Sequence, residues 1–364
     1  MTAMATMIPH SRPAIDEADI RAASEVLRSG QIAQGPWVER FEQGMASFMG
    51  RQGGVAVSSG TAALELALRA LGVGAGDEVI MPSYVCQAPW LAVQRAGAVA
   101  RLVDIDVDTF NIDPVAARDA ITEKTRAIIV PHLFGLPADL TALEVLNIPI
   151  IEDCAQTLGA TEQGRVVGQV GVLTVCSFYA TKLLCTGEGG MVLSNDHVLL
   201  DRVKSFREYD GADVLLPASA NHKMTDLQAA LGLSQLDRLP DFLSRRSEIA
   251  MRYNQAFAGY GVQLPPVPSG RSHRYYRYVV RLSLSSGSNG ELNRWLGCAA
   301  ERGIHCRKPV FRPLHDYLGL GGFPYSTEAD RTACSIPLYP AMTEEMVEQV
   351  VTELSQVFAE WGRC

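Results

Sequence analysis

The stretch Ser177–Gly190, SFYATKLLCTGEGG, sets a single lysine, Lys182, between an aromatic run and two leucines, with Gly-Glu-Gly-Gly behind it. Lysine is costly to bury unless its charge is paired or used. The segments on either side, GVLTVCSFYA (171–180) and GMVLSND (190–196), read as strands. Further upstream, short apolar runs alternate with amphipathic ones. GVAVSS (54–59), DEVIMP (77–82), VARLVDI (99–105), TRAIIVPHLFG (125–135) and IPIIEDCA (148–155) read as strands. Between them TAALELALRALG (61–72), APWLAVQRAG (88–97), DPVAARDAI (113–121) and ADLTALEVLN (138–147) read as helices, with Asp113 as N-cap and Pro114 at the first helical position. The strands are continuously apolar rather than alternating, which suits a mostly parallel sheet covered by helices on both faces.

Downstream the character changes. TDLQAALGLSQLDRL (225–239) and DFLSRRSEIAMRYNQAF (241–257) predict long helices meeting at Pro240. YYRYVVRLSL (275–284) alternates as an exposed antiparallel strand would, SSGSNG (285–290) is a turn, and 290–303 and 343–361 read as helices. The expected fold class is therefore α/β: a large domain over 1–245 and a smaller α+β domain over 246–364. A chain of 364 residues is the right length for two unequal domains.

Composition excludes several classes. The formal net charge of −8 argues against a nucleic-acid or anionic-membrane surface. No apolar run approaches the roughly 18 residues of a membrane span, and the N-terminus lacks the pattern of a signal peptide. The eight cysteines (86, 154, 176, 185, 298, 306, 334 and 364) form no C-x-x-C pair, which points to reduced thiols in a cytoplasmic protein rather than a disulfide framework or a metal site.

Four features carry chemistry. SSGTAAL (58–64) sits at a strand-to-helix junction, where the first N–H groups of the helix have no internal partner and favour an anion; Gly60 permits close approach and Thr61 adds a hydroxyl. The bland reading is an N-cap by Ser59 or Thr61. Asp153 follows an apolar strand at its carboxyl end, where ligands sit in open α/β sheets. A buried carboxylate there needs a cation. Lys182 is either the partner of Asp153 or Glu188 in a salt bridge, or an amine that forms a Schiff base. NHKMTDLQ (221–228) is a polar loop running into a helix that Thr225 or Asp226 caps. A lysine amine, a strand-end aspartate and an anion-ready helix terminus together are the parts a pyridoxal phosphate site needs, with Ser177 offering a hydroxyl nearby.

At these segments the chain resembles the DegT/DnrJ/EryC1/StrS sugar aminotransferases, which have the type I fold of pyridoxal phosphate enzymes. The matching stretches, in order, are GQIAQGPWVERFE, VSSGTAALELAL, GDEVIMPSYV, VDIDVDTFNIDP, EDCAQTLGA, SFYATKLLCTGEGGMVLSND and MTDLQAALGLSQLDRL, with RPLHDYL and SIPLYPAMTEEMVEQV toward the C-terminus. The resemblance implies that Lys182 is the Schiff-base lysine and proton shuttle and that Asp153 holds the pyridine nitrogen. It implies that Gln156 lies near the phenolic oxygen and that Gly60, Thr61 and Ser177 meet the phosphate. Asn221 would reach the phosphate in the neighbouring subunit of a homodimer, and His315 would lie near the substrate. Family members place an aromatic ring over the cofactor where this chain has Cys86, leaving Cys86 or Tyr84 as the ring's cover. Lys223 stands where arginine is usual, losing a planar fork for a substrate phosphate. The basic cluster Arg307, Lys308 and Arg312 either meets a nucleotide diphosphate or is a solvated face.

The implied reaction moves an amino group from L-glutamate to a nucleotide-linked 3- or 4-keto-6-deoxyhexose, in amino-sugar, lipopolysaccharide or secondary-metabolite biosynthesis. A dehydratase of the same family has histidine in place of the lysine, so Lys182 argues against it. A lyase or amino-acid aminotransferase is chemically allowed. A regulator without turnover should show a DNA-binding helix pair or basic arm, and the sequence has neither.

Overall fold

The computed structural model describes residues 7–209, 218–284 and 290–361. Its centre is a seven-stranded sheet. The strands are β1 (Gly53–Val57), β2 (Glu78–Pro82), β3 (Val99–Val103), β4 (Thr125–Pro131) and β5 (Ile150–Asp153), and, after a short hairpin of β6 (Thr161–Glu162) and β7 (Arg165–Val166), β8 (Leu173–Ser177) and β9 (Gly190–Ser194). Their spatial order is β1-β9-β8-β5-β4-β2-β3. Only β9 runs against the others.

The continuous apolar runs have the expected cause: both faces of each central strand are covered. Val79, Met81, Ala127 and Ile129 enter one core with the helices Gly60–Ala70 and Ala88–Ala96. Their neighbours Ile80, Ile128 and Val130 enter another with Ala117 and Leu140. Toward the β1 end, Ala56, Cys176 and Met191 pack on Phe41, Met45 and Met49 of the helix Pro36–Met49. One-residue alternation between two buried cores removes any polar face. The fold is α/β, as the sequence predicts.

The second core gathers the helices Leu239–Phe257, Glu291–Glu301 and Glu344–Glu360 on a two-stranded ribbon, β10 (Tyr278–Arg281) with β11 (Ala333–Ile336), paired antiparallel. Ile8 from the start of the described chain joins it. The proposed boundary between residues 245 and 246 falls inside the helix Leu239–Phe257, whose Leu243 packs on the large core and Ile249 on the small one. Strand 275–284 differs from expectation. Only Tyr278–Arg281 are extended, and they are not exposed: Tyr278 and Val280 face the small core and Val279 the large one. A strand lying between two cores alternates like a surface strand while both faces are dry. The turn predicted at 285–290 lies almost entirely outside the described residues.

Seven cysteines are described, all free. No described helix is long and apolar enough to cross a membrane.

Because β1, β4, β5 and β8 are parallel, their carboxyl ends share one edge of the sheet. β5 ends there on Asp153 and β8 on Ser177, β4 delivers His132, and β1 leads into Ser58–Gly60. β9 starts at that edge, so the loop joining β8 to β9, which carries Lys182, is held there too.

Candidate active site

The sheet edge encloses a cavity of about 200 Å³. Gly60, Thr61, Cys86, Asp153, Gln156, Ser177 and Lys182 all line it. Residues drawn from four separate stretches of sequence thus meet at one place.

One end of the cavity is the first turn of the helix Gly60–Ala70. Ser59 caps it, its Oγ accepting from the Ala62 N–H at 3.1 Å. The bland reading of this motif is therefore realised, but by Ser59 alone, and it leaves Gly60 and Thr61 facing the cavity. A Cβ on Gly60 would lie 2.7 Å from the Cβ of Ser177, and one on Gly190 would lie 2.3 Å from the Ser59 carbonyl oxygen. Both contacts are closer than real Cβ atoms make, so the two glycines let the helix start dock on the ends of β8 and β9.

Asp153 stands at the cavity wall, half-buried, its Oδ1 accepting from the Ala155 N–H at 3.0 Å. Burial raises its carboxyl above the ordinary range, against the Ala155 N–H and the charges of Lys182 and His132. Gln156 Oε1 accepts from the Phe134 N–H at 2.8 Å, so the amide NH₂ is the end free to donate. The Lys182 loop is closed by backbone bonds from Phe178 to Gly189, Ala180 to Gly187 and Lys182 to Tyr179. The start of the helix Asp226–Asp237 braces it, with Gln228 Nε2 donating to the Glu188 carbonyl at 2.8 Å. Thr225 caps that helix, as predicted, in a capping box with Gln228.

The question of Lys182 has a geometric answer. It forms no ion pair with Asp153, Glu188 or any other described residue. Its Nζ lies over the ring of Tyr276, 5.1 Å from the centroid. Burial opposes ionisation of the Tyr276 phenol. The charges of Lys182 and Arg277 and the hydrogen bonds with Thr181 and Arg277 outweigh it and bring the phenol down to about 8.

Seven other candidates do not line this cavity. Tyr84 is fully buried, stacked near Phe110 at 6.0 Å with its hydroxyl donating to the Ala329 carbonyl. It cannot cover a cofactor ring, because the turn after β2 points it into the core and presents Cys86 to the cavity instead. His315 is consumed by packing: Nδ1 meets Ser83 Oγ at 2.7 Å, Nε2 meets Thr327 Oγ1 at 3.1 Å, and the ring stacks on Phe323. Arg307 pairs through its backbone with Ser335, far along the chain from the cavity walls, while Lys308 bridges Asp330 and Arg312 lies over Tyr317. Lys223 sits in an isolated bridge with Val57. Asn221 is exposed and lines no part of its own chain's cavity.

The sequence reading missed His132, Tyr179 and Tyr276, and weighed Glu188 only as an ion-pair partner for Lys182. His132 also lines the cavity. Its Nδ1 accepts from the Ala138 N–H, so its proton is on Nε2 and goes to Glu152. Glu152 is fully buried and also accepts from Gly168, Val170 and Gly171 N–H groups. Burial alone would raise its pKa, but these bonds, led by that from His132, lower it. His132, Glu152 and Cys154 come within 4.8 Å of one another, yet the hydrogen bonds already engage the histidine and the carboxylate. The signal available in sequence was the histidine directly after a strand end.

A family model described as the DegT/DnrJ/EryC1/StrS aminotransferase family matches residues 13–355. The chain belongs to that family. It is similar to the spore coat polysaccharide biosynthesis protein SpsC of Bacillus subtilis, 34% identical over 96% of this chain and 97% of the relative. Among solved structures it is similar to Spr1654 of Streptococcus pneumoniae, assigned as a sugar aminotransferase and solved in a PMP form. The TM-score is 0.92 at 30% identity, over 98% of this chain and 99% of that one. The aminotransferase TlmJ from Streptoalloteichus hindustanus gives 0.90 at 31%, over 98% and 100%. This aminotransferase is accordingly a pyridoxal phosphate enzyme. Its cavity fits that group: a free amine and a carboxylate line it together, and the first turn of the helix Gly60–Ala70 opens onto it where a phosphate would bind.

Proposed function

We propose that this aminotransferase moves an amino group from L-glutamate to a nucleotide-linked 3- or 4-keto-6-deoxyhexose, as a cytoplasmic homodimer. The observation that carries the site assignment is the unpaired amine of Lys182 in the same cavity as Asp153. Pyridoxal phosphate, when bound, supplies a sink for the electron pair left when a proton leaves the carbon beside the amine. Asp153 carboxylate holds the proton on the pyridine nitrogen. The Gly60 and Thr61 N–H groups, with the hydroxyls of Thr61 and Ser177, bind the phosphate at the helix dipole. Gln156 donates its NH₂ toward the phenolic oxygen. Lys182 Nζ takes the proton from the α-carbon of the amino donor, and in the second half-reaction delivers one to the sugar carbon that receives the amine.

The wall at Cys86, Tyr179 and Glu188 is exposed on a single chain, and exposed walls admit water. A second subunit supplying Asn221 closes the site in this reading. The relative in spore coat polysaccharide biosynthesis supports a sugar acceptor. The purified protein with pyridoxal phosphate should change its absorbance on addition of L-glutamate, and nucleotide keto-sugars should reverse the change. No spectral change with any amino acid would overturn the proposal.

A further inference from the structure

A second, smaller cavity lies between the two cores: Tyr276 of the large one and Leu338 and Tyr339 of the small one line it together. Arg12, Arg246 and Arg277 line it too, and no aspartate or glutamate does. We propose that this cavity binds one small monovalent inorganic anion, a chloride ion in size and charge, which bridges the two cores. The site is separate from the reaction. It shares no lining residue with the cavity of Lys182, and it stands whatever the amino donor or acceptor is.

Three guanidinium groups around one cavity, without a carboxylate in its walls, leave positive charge uncompensated. Arg246 is only 4% exposed, and its Nη1 is spent on the carbonyls of Tyr275, Tyr276 and Leu338 at 3.1, 3.2 and 3.1 Å. Its Nε–H is buried and has no partner. A buried donor left without an acceptor is costly, so an acceptor in the cavity is favoured. Burial lowers the pKa of Arg246 to about 10, and the Tyr276 phenol is the one acid that opposes this. Every neighbour whose charge acts on His10 or Tyr276 is basic: Arg277, Arg307 and His305 for the first, Lys182 and Arg277 for the second. The field in the cavity is that of cations without a counter-ion.

A water molecule would give Arg246 Nε an acceptor and leave the charge untouched, whereas an anion answers both. Size limits its kind. The cavity holds about 20 Å³ of space for water-sized centres, where one water needs roughly 10–15 Å³. That admits a monatomic ion and excludes a phosphate or a diphosphate.

Position gives the ion something to hold. The walls come from the N-terminal segment at His10 and Arg12, from Thr181, from the helix Leu239–Phe257 at Arg246 and from β11 at Ser335. His10 Nε2 lies 2.8 Å from Ser335 Oγ, and Thr181 Oγ1 lies 3.3 Å from the Tyr276 hydroxyl. Stretches far apart in the chain thus meet around one space. An anion among them offsets the mutual repulsion of Arg12, Arg246 and Arg277. Because the unfolded chain has no such site, the ion stabilises the folded one by mass action.

The test uses the enzyme with pyridoxal phosphate bound, so that the helix start at Gly60 offers no competing seat for an anion. Sodium chloride is exchanged for sodium gluconate at constant ionic strength, which keeps screening equal while gluconate is too large for the cavity. Chloride should show a saturable broadening of its NMR line and should raise the melting temperature above that in gluconate. Arg277→Gln should weaken chloride binding by about tenfold or more. Exposed Arg12→Gln, which threatens no packing, should weaken it by a few-fold. In wild-type crystals soaked in sodium bromide, the anomalous signal should place a bromide in this cavity. Broadening that does not saturate, equal melting in the two salts, or bromide found only outside the cavity overturns the proposal. A folded Arg277→Gln variant within about twofold of wild type overturns it as well. If that variant does not fold, Arg12→Gln and the bromide position decide.

Discussion

Lys182 is half-buried yet unpaired, and its charge acts on the Tyr276 phenol as well as on the Asp153 carboxylate. That coupling is measurable without cofactor. In wild type one tyrosine should titrate near 8 by its ultraviolet difference spectrum. In Lys182→Ala it should move upward toward the ordinary value, because the first of the two charges favouring phenolate is gone. An unmoved titration would show that the amine does not face Tyr276. Lys182→Ala should also lose about a hundred- to ten-thousandfold in turnover, the usual worth of a positioned general base. Asp153 makes a different prediction. Burial raises its pKa above the ordinary value of 3.8, so the stabilisation from holding a proton is full below that value and is lost as pH rises through the raised one. Cofactor-free Asp153→Asn should then melt above wild type at neutral pH, with the gap closing as pH falls toward the ordinary aspartate value. Its turnover should drop by about a hundred- to a thousandfold. Equal melting gaps at both pH values would remove the burial argument.

At the scale of elements, the site depends on how closely the helix Gly60–Ala70 meets β8 and β9. Gly60 is there for space. Gly60→Ala puts a methyl 2.7 Å from the Ser177 Cβ, a backbone-proximal clash that flexible side chains cannot relieve. Overpacking of this kind costs about 1–3 kcal/mol. The variant should keep its circular dichroism and lose affinity for pyridoxal phosphate, read as a rise in dissociation constant by absorbance titration. Unchanged affinity would show that the helix terminus does not hold the phosphate. Most elements were legible from periodicity, because both-face burial leaves continuous apolar runs and Gly, Pro and Asp mark their ends. The ribbon strand β10 was legible as antiparallel but not as buried. Alternation reports two different faces, and it does not report whether the second face meets water or another core.

Over the whole molecule, the cavity is open where Cys86, Tyr179 and Glu188 reach the surface, and Asn221 lies outside it on the same chain. In a homodimer whose subunits exchange Asn221, the variants Asn221→Ala and Lys182→Ala should each be impaired alone. Mixed and refolded together, they should recover activity, because one site of the hybrid joins an intact Lys182 to an intact Asn221. Failure to complement, with dimers seen by sedimentation, would place Asn221 outside the site. The sequence by itself determined the α/β layering and the cluster of Gly60, Thr61, Asp153, Gln156, Ser177 and Lys182. Those residues sit at element ends, and parallel strands bring their carboxyl ends to one edge whatever the details of packing. Only the tertiary structure decided the fates of Tyr84, His315 and Arg307, and the meeting of Lys182 with Tyr276. Those outcomes depend on contacts such as Thr181 with Tyr276 and Ser83 with His315, between residues 95 and 232 positions apart. Local propensity carries no information across such separations.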